Sequence, residues 1–445
     1  MLPLLPPGFR FGTSTAAPQI EGAAAEDGRG PSIWDTFAAQ PGRIADGGTP
    51  AVACDHYHRY AEDVGLLKEL GARDYRFSVS WPRVLPEGRG RVNERGLDFY
   101  DRLVDALLEA EIRPMATLYH WDLPQALQDQ GGWLHRDTID HFAAYADLVG
   151  RRLGDRVEHW VPVDEPNVVS LMGHGIGKHA PGLPLHFDAL WVTHHLLVAH
   201  GRATIALREA GATSVGSANN HAPIWPASDG DADVGAAKLF DALWNATYIE
   251  AMLLGRYPAD LMPLMEDLVE PGDMATIRQP LDFYGVNYYS PVKIAAAPEE
   301  AAMPFELLDP LGYPTTDAGW SVVPSALREW LIMFRARYRA ALPPIVITES
   351  GCSFGDGPDE HGQVHDQRRI DYLAAHVGAV REAVERGVDV RGYYVWSLLD
   401  TFEWAQGYQQ RYGLVHVDHD TQVRTPKDSF RWYADLVAAQ PQHAG

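Results

Sequence analysis

Two glutamates stand at the ends of apolar runs: Glu349 in ITESG at 347–351 and Glu165 in VDEPN at 163–167. A pair of carboxyls suits cleavage of a glycosidic bond with retention of configuration. One carboxylate attacks the anomeric carbon while one carboxylic acid protonates the leaving oxygen, at a separation of roughly 5–5.5 Å. Both must then reach one small pocket, although the two motifs lie far apart in the chain.

The elements around them supply a way to do this. Val161-Pro162-Val163 leads into Glu165, and Ile345-Val346-Ile347-Thr348 leads into Glu349. Further runs of strand character are Tyr75–Val79, Met115–Tyr119, Leu281–Val286 and Gly392–Trp396. Between them fall segments with helical spacing of apolar residues: Tyr60, Val64, Leu67 and Leu70; Leu97, Tyr100, Val104, Leu107 and Leu108; Phe142, Tyr145, Val149 and Leu153; Tyr372, Leu373, His376, Val380 and Val384. Strand alternating with helix predicts a parallel sheet. Polar groups crowd at the run ends (Arg76, His120 with Trp121, Glu165, Asn287 with Tyr289, Glu349 and Trp396), as expected where strand C-termini build the site of a closed barrel. The fold expected is α/β, a single (β/α)8 TIM barrel domain over 1–445 with long βα loops. Stretches 223–235, 257–280 and 291–324 are rich in proline and glycine and read as such loops, the last standing over the pocket mouth.

Composition narrows the function classes. A hydrophobic share of 46% with 22% charged residues suits a packed core. The formal charge of −23 repels nucleic acid and anionic membranes. No uncharged apolar stretch is long enough to span a bilayer. The start, MLPLLPPGFRFG, lacks a cationic leader region and is broken by prolines, so no signal peptide is expected. Cys54 and Cys352 are too few for a disulfide framework, and a reducing cytoplasm fits. Only five of the 37 cationic residues are lysine, which reads as the coding bias of a GC-rich bacterium. His56 and His58 share a face if DHYH is a strand, but without cysteine or carboxylate ligands at metal spacing they read as packing. No metal or organic cofactor is expected.

Eight blocks together resemble the retaining β-glycosidases of glycoside hydrolase family 1, the β-glucosidase family. They are FGTSTAAPQIEG at 11–22, DHYHRYAEDVGLLKELGARDYRFSVSWPRVLP at 55–86, LYHWDLPQAL at 118–127, VDEPN at 163–167, HAPG at 179–182, YGVNYYS at 284–290, ITESG at 347–351 and YVWSLLDTFEWAQGYQQRYGL at 394–414. The resemblance implies Glu349 as nucleophile and Glu165 as acid/base. Arg76 and Tyr289 would keep Glu349 ionised and oriented. Gln19, His120, Asn287 and Glu403 would bond sugar hydroxyls, with Trp396 and Trp404 as walls for the C–H face. A small-molecule β-glycoside is the partner implied. Glu403 is present and Lys427 is the nearest lysine in sequence, which disfavours a phosphorylated sugar.

Asp164 departs from the pattern, since the family normally carries an asparagine that donates to the sugar's 2-hydroxyl; an ionised aspartate accepts but cannot donate. Three readings stay open: a protonated Asp164 mimics the amide, it prefers a donor such as a 2-amino group, or it marks weakened hydrolysis. Pro18, Pro162 and Ser350 are further departures. The function expected is a retaining exo-β-glycosidase on neutral β-glycosides. Transglycosylation, a redirected glycone and a sugar-binding protein without turnover are the alternatives.

Overall fold

The computed structural model describes residues 2–441. Eight parallel strands wrap into a nearly closed barrel and alternate with helices. They are β1 (Arg10–Ser14), β2 (Asp74–Ser78), β3 (Arg113–Tyr119), β4 (His159–Val163), β5 (Gly216–Asn220), β6 (Phe283–Asn287), β7 (Ile345–Ser350) and β8 (Val390–Trp396). Neighbours in sequence pair around the wall, and β1 pairs with β8 in five register positions from Arg10↔Gly392 to Ser14↔Trp396. The remaining seam, β4 against β5, is joined by two isolated bridges, Trp160↔Val215 and Asp164↔Ala218.

The barrel is filled, not hollow. Met115, Val161, Ala218, Phe283, Val346 and Tyr394, one from each of six consecutive strands, form a buried cluster inside it. A Cβ on Gly12 would lie 2.6 Å from the Asp74 carbonyl of β2 and 2.7 Å from the ring of Tyr394, its partner on β8, so both neighbouring strands require glycine there. The opposite strand faces join the main core against the surrounding helices, as Tyr75, Phe77, Tyr393 and Val395 do.

The four helical patterns correspond to helices His56–Leu70, Glu94–Glu109, Asp137–Leu153 and Gln367–Glu385. His56 and His58 therefore lie in the first turn of a helix and not in a strand. His56 Nδ1 meets Asp63 Oδ2 at 2.7 Å about two helical turns away, while His58 contacts Asp55 and Glu26, so packing and ion pairing account for both.

The three loop expectations need correction. Stretch 223–235 contributes a strand, Ile224–Pro226, and the start of helix Asp231–Asp241. Stretch 257–280 holds short helical turns between Ala259 and Leu268 and helix Asp273–Ile277. Stretch 291–324 supplies strands Val292–Ala296 and Phe305–Leu308, which join Ile224–Pro226 in a separate three-stranded sheet. These pieces are too short to show a period, and packing organises them: Ile294 is buried against Ala236, Ala237 and Phe240 of the adjacent helix. Among the described residues, no helix is long and apolar enough to cross a membrane.

Candidate active site

Strand ends deliver the expected residues to one place. Arg76 sits near the end of β2, with its guanidinium completely buried. Thr117 Oγ1 accepts from its Nε at 3.0 Å and Ser14 Oγ from Nη1 at 3.3 Å, so β1 and β3 fix the fork. Its two terminal nitrogens then diverge, Nη1 to Glu349 Oε1 and Nη2 to Asp164 Oδ1. A register shift in β7 between Ile347 and Glu349 places Glu349 opposite Asn287 of β6, where a regular strand would have pointed Thr348. The Tyr289 hydroxyl donates to the other oxygen of Glu349, Oε2, at 2.7 Å. Both expected partners of Glu349 are thus in contact with it.

Glu165 follows β4 at a sharp corner. Its backbone takes φ 44°, an uncommon conformation for a residue with a Cβ, and Pro166 then opens a short helix. Oε1 of Glu165 accepts from Asn287 Nδ2 at 2.8 Å and from Asn220 Nδ2 at 3.1 Å. Asn287 is itself held by Thr348, whose hydroxyl donates to its Oδ1 at 2.6 Å, and its Nδ2 also reaches Asp164 Oδ1 at 3.2 Å.

The remaining expected residues form a wall. His120 lies 5.8 Å from Trp396 and 6.0 Å from Trp404, ring to ring, with both pairs stacked. Trp404 stacks at 4.5 Å on Trp121 and packs on Trp34 at the same distance. Gln19 Nε2 donates to the Phe402 carbonyl at 2.9 Å, and the Thr401 hydroxyl donates to Glu403 Oε1. The buried Gln19 Oε1 and His120 Nδ1 have no hydrogen-bond partner among the described residues. Lys427 is not part of this wall; it is fully buried beside Asp400, at 2.9 Å from its Oδ1.

Burial dominates the electrostatics. It lowers His120 to about 4, with Asp164 opposing, so the imidazole is neutral at pH 7. Glu165 is pushed well above the carboxylate range, first by burial and then by the charges of Asp164 and Glu349. Glu349 is also raised, to about 8: burial and Asp164 outweigh the lowering by Arg76 and Tyr289. The expectation that Arg76 and Tyr289 keep Glu349 ionised thus meets an opposing charge, because Arg76 is divided between two carboxylates. Burial likewise lifts Glu403 to about 7 and keeps Tyr289 a phenol, able to donate.

Asn220, Thr348, Thr401 and Trp34 also lie against these residues and were not anticipated from sequence as part of the site, whereas Trp121 was expected at the strand end beside His120. Trp121 and Asp122 do follow His120 directly, and the Trp121 indole donates to the Asp164 carbonyl at 3.1 Å. Asn220 ends GSANN, a strand too small and polar to show a strand pattern.

The chain is similar to known proteins over nearly its whole length. Residues 3–442 match the model of glycosyl hydrolase family 1. Beta-glucosidase A of Acetivibrio thermocellus is 45% identical over 441 residues, covering 97% of this chain and 98% of the relative. Thermostable beta-glucosidase B of Thermobispora bispora is 47% identical, covering 97% and 90%. Among solved structures, the psychrophilic beta-glucosidase of Micrococcus antarcticus superposes with a TM-score of 0.95 at 46% identity, covering 98% of each chain. The family 1 β-glucosidase of Thermotoga maritima gives 0.93 at 43%, again covering 98% of each. The chain belongs to glycosyl hydrolase family 1.

Proposed function

We propose that this protein is a single-domain retaining exo-β-glycosidase of β-glucosidase type, releasing a terminal sugar from small-molecule β-glycosides by double displacement. The observation that carries this reading is the unequal support of the two glutamates. Glu349 is held at both oxygens, by Arg76 and by Tyr289. Glu165 is held at Oε1 by two amides, which leaves Oε2 for a leaving group.

In the first step the ionised Glu349 attacks the anomeric carbon and the C–O bond to the aglycone breaks. The proton of Glu165 passes to the departing oxygen, giving a free alcohol and a glycosyl ester on Glu349. In the second step Glu165, now a carboxylate, takes a proton from water. The resulting hydroxide equivalent attacks the same carbon and regenerates Glu349. A raised pKa serves Glu165, which keeps its proton at neutral pH until the leaving group needs it. Neutral His120 accepts or donates to a hydroxyl without adding charge.

The test is the anomer first formed. Proton NMR of an aryl β-glucoside reaction should show the β-hemiacetal ahead of mutarotation, with aglycone release abolished in Glu349→Gly. An α-hemiacetal, or undiminished turnover in that variant, would sink the assignment. The two buried free cysteines support action in a reducing bacterial cytoplasm, and the charge of −23 supports a substrate other than nucleic acid. Cell fractionation checks the first point.

A further inference from the structure

One oxygen of the pocket is not employed by the mechanism. Asp164 is fully buried, and its Oδ1 is occupied by Arg76 and Asn287. Among the described residues its Oδ2 makes no hydrogen bond of good geometry. That oxygen lies 3.2 Å from His120 Nε2, and acceptor atoms of His120, Asp164 and Glu349 all fall within 4.8 Å of one another. Leaving a carboxylate oxygen buried and unmatched is costly unless a ligand supplies the donor.

Charge says which donor. One guanidinium is bonded to both Asp164 and Glu349, so a single positive charge answers two negative ones. A sugar hydroxyl brings one proton to this group of acceptors and no charge. An ammonium brings three donors and the missing positive charge.

Position says where the ammonium stands. Glu349 must reach the anomeric carbon, and Tyr289 holds its Oε2 while Arg76 ties Oε1 to Asp164. Asp164 thus flanks the reacting carbon on one side, facing either the ring oxygen or the substituent on the next carbon. A ring oxygen has no proton to offer a carboxylate, which leaves the substituent at C2.

We propose that Asp164, with His120 and Glu349, forms an ammonium-recognition position and that the preferred glycone is a 2-amino-2-deoxy sugar. This rests on the glycosidase reading of the same pocket. The three side chains are also a possible metal-ligand set, but Arg76 already bonds both carboxylates and its charge repels a dication there.

Binding, which needs no turnover, separates the two claims. Calorimetry on the intact protein should show methyl 2-amino-2-deoxy-β-glucoside binding at least tenfold tighter than methyl β-glucoside. In Asp164→Asn the ratio should fall to one or below. Should that variant fail to fold, the uncharged 2-deoxy glycoside on wild-type protein replaces it and should bind no better than the neutral glucoside. Equal or weaker binding of the amine by wild type, an unchanged ratio in Asp164→Asn, or micromolar binding of ZnCl2 displaced by both sugars would overturn the proposal. Tighter amine binding without aglycone release from either aryl glycoside would keep the ammonium position and overturn only the hydrolase reading.

Discussion

Asp164 and Glu349 are bonded to opposite nitrogens of a single guanidinium, that of Arg76. The arrangement fixes both carboxylates and leaves them in competition for one charge. Much of the pocket's expected behaviour follows from this division.

The first consequence is in pH dependence. In the proposed mechanism Glu349 must be ionised to attack, and burial with the Asp164 charge raises it to about 8. The acid limb of kcat/KM is therefore expected near that pH, with activity falling as pH drops through it. Asp164→Asn removes a negative neighbour, which lowers the Glu349 value and moves the limb to lower pH. A pH profile of aryl glycoside turnover measures both positions, and a limb indifferent to Asp164→Asn would contradict the assigned cause.

Tyr289→Phe should act in the opposite sense. The lost donor to Glu349 Oε2, now at 2.7 Å, is one of the groups that lower its pKa, so the acid limb moves to higher pH. A hydrogen bond to a charged group is worth about 1.5–3 kcal/mol, which corresponds to a loss of ~10–100-fold in kcat/KM. Steady-state kinetics above the limb isolate this loss from the titration.

Asn220→Ala tests a contact visible only in the structure. Its amide donates to Glu165 Oε1 and favours the ionised form. Without it Glu165 holds its proton to still higher pH, so the alkaline limb moves upward. Glu165 also loses one of two anchors, and kcat is expected to fall ~3–10-fold, in keeping with an indirect orienting contact. An unmoved alkaline limb would argue that Asn220 does not act through Glu165.

Under the wall of the pocket, Lys427 and Asp400 are a buried pair at 2.9 Å, with Asp356 a further 3.7 Å from the amine. Lys427→Met leaves Asp400 with the Gly413 amide at 2.9 Å and the more distant His416 and Arg411 at 3.4 and 3.5 Å, so the loss should be at or below the about 3–5 kcal/mol typical of breaking a buried pair. Urea unfolding should show this, and the double variant with Asp400→Asn should lose less than the two single losses combined.

The sequence made the barrel legible where strands were apolar and ended in chemistry. Val161 to Val163 and Ile345 to Thr348 announced Glu165 and Glu349, and the structure brings both to one pocket. It was silent on Gly216–Asn220, because glycine, serine and asparagines carry no strand pattern when neighbouring strands and helices supply the burial. Helix Leu190–Glu209 is buried on most sides, so the one-faced spacing that exposed the other helices is absent. The division of Arg76 could not be read at all. It depends on three strands, with Thr117 and Ser14 setting the fork between Asp164 and Glu349.

The seam between β4 and β5 has a final consequence. Two isolated bridges close it where β1 and β8 share five register pairs, and one of the two is made by Asp164 itself. A joint with so few backbone bonds is where amide hydrogens exchange first and where warming opens the wall ahead of global melting. The cylinder's loosest stave is also the one that carries the proposed acid/base, so activity should fade on heating before the helices report any loss of structure.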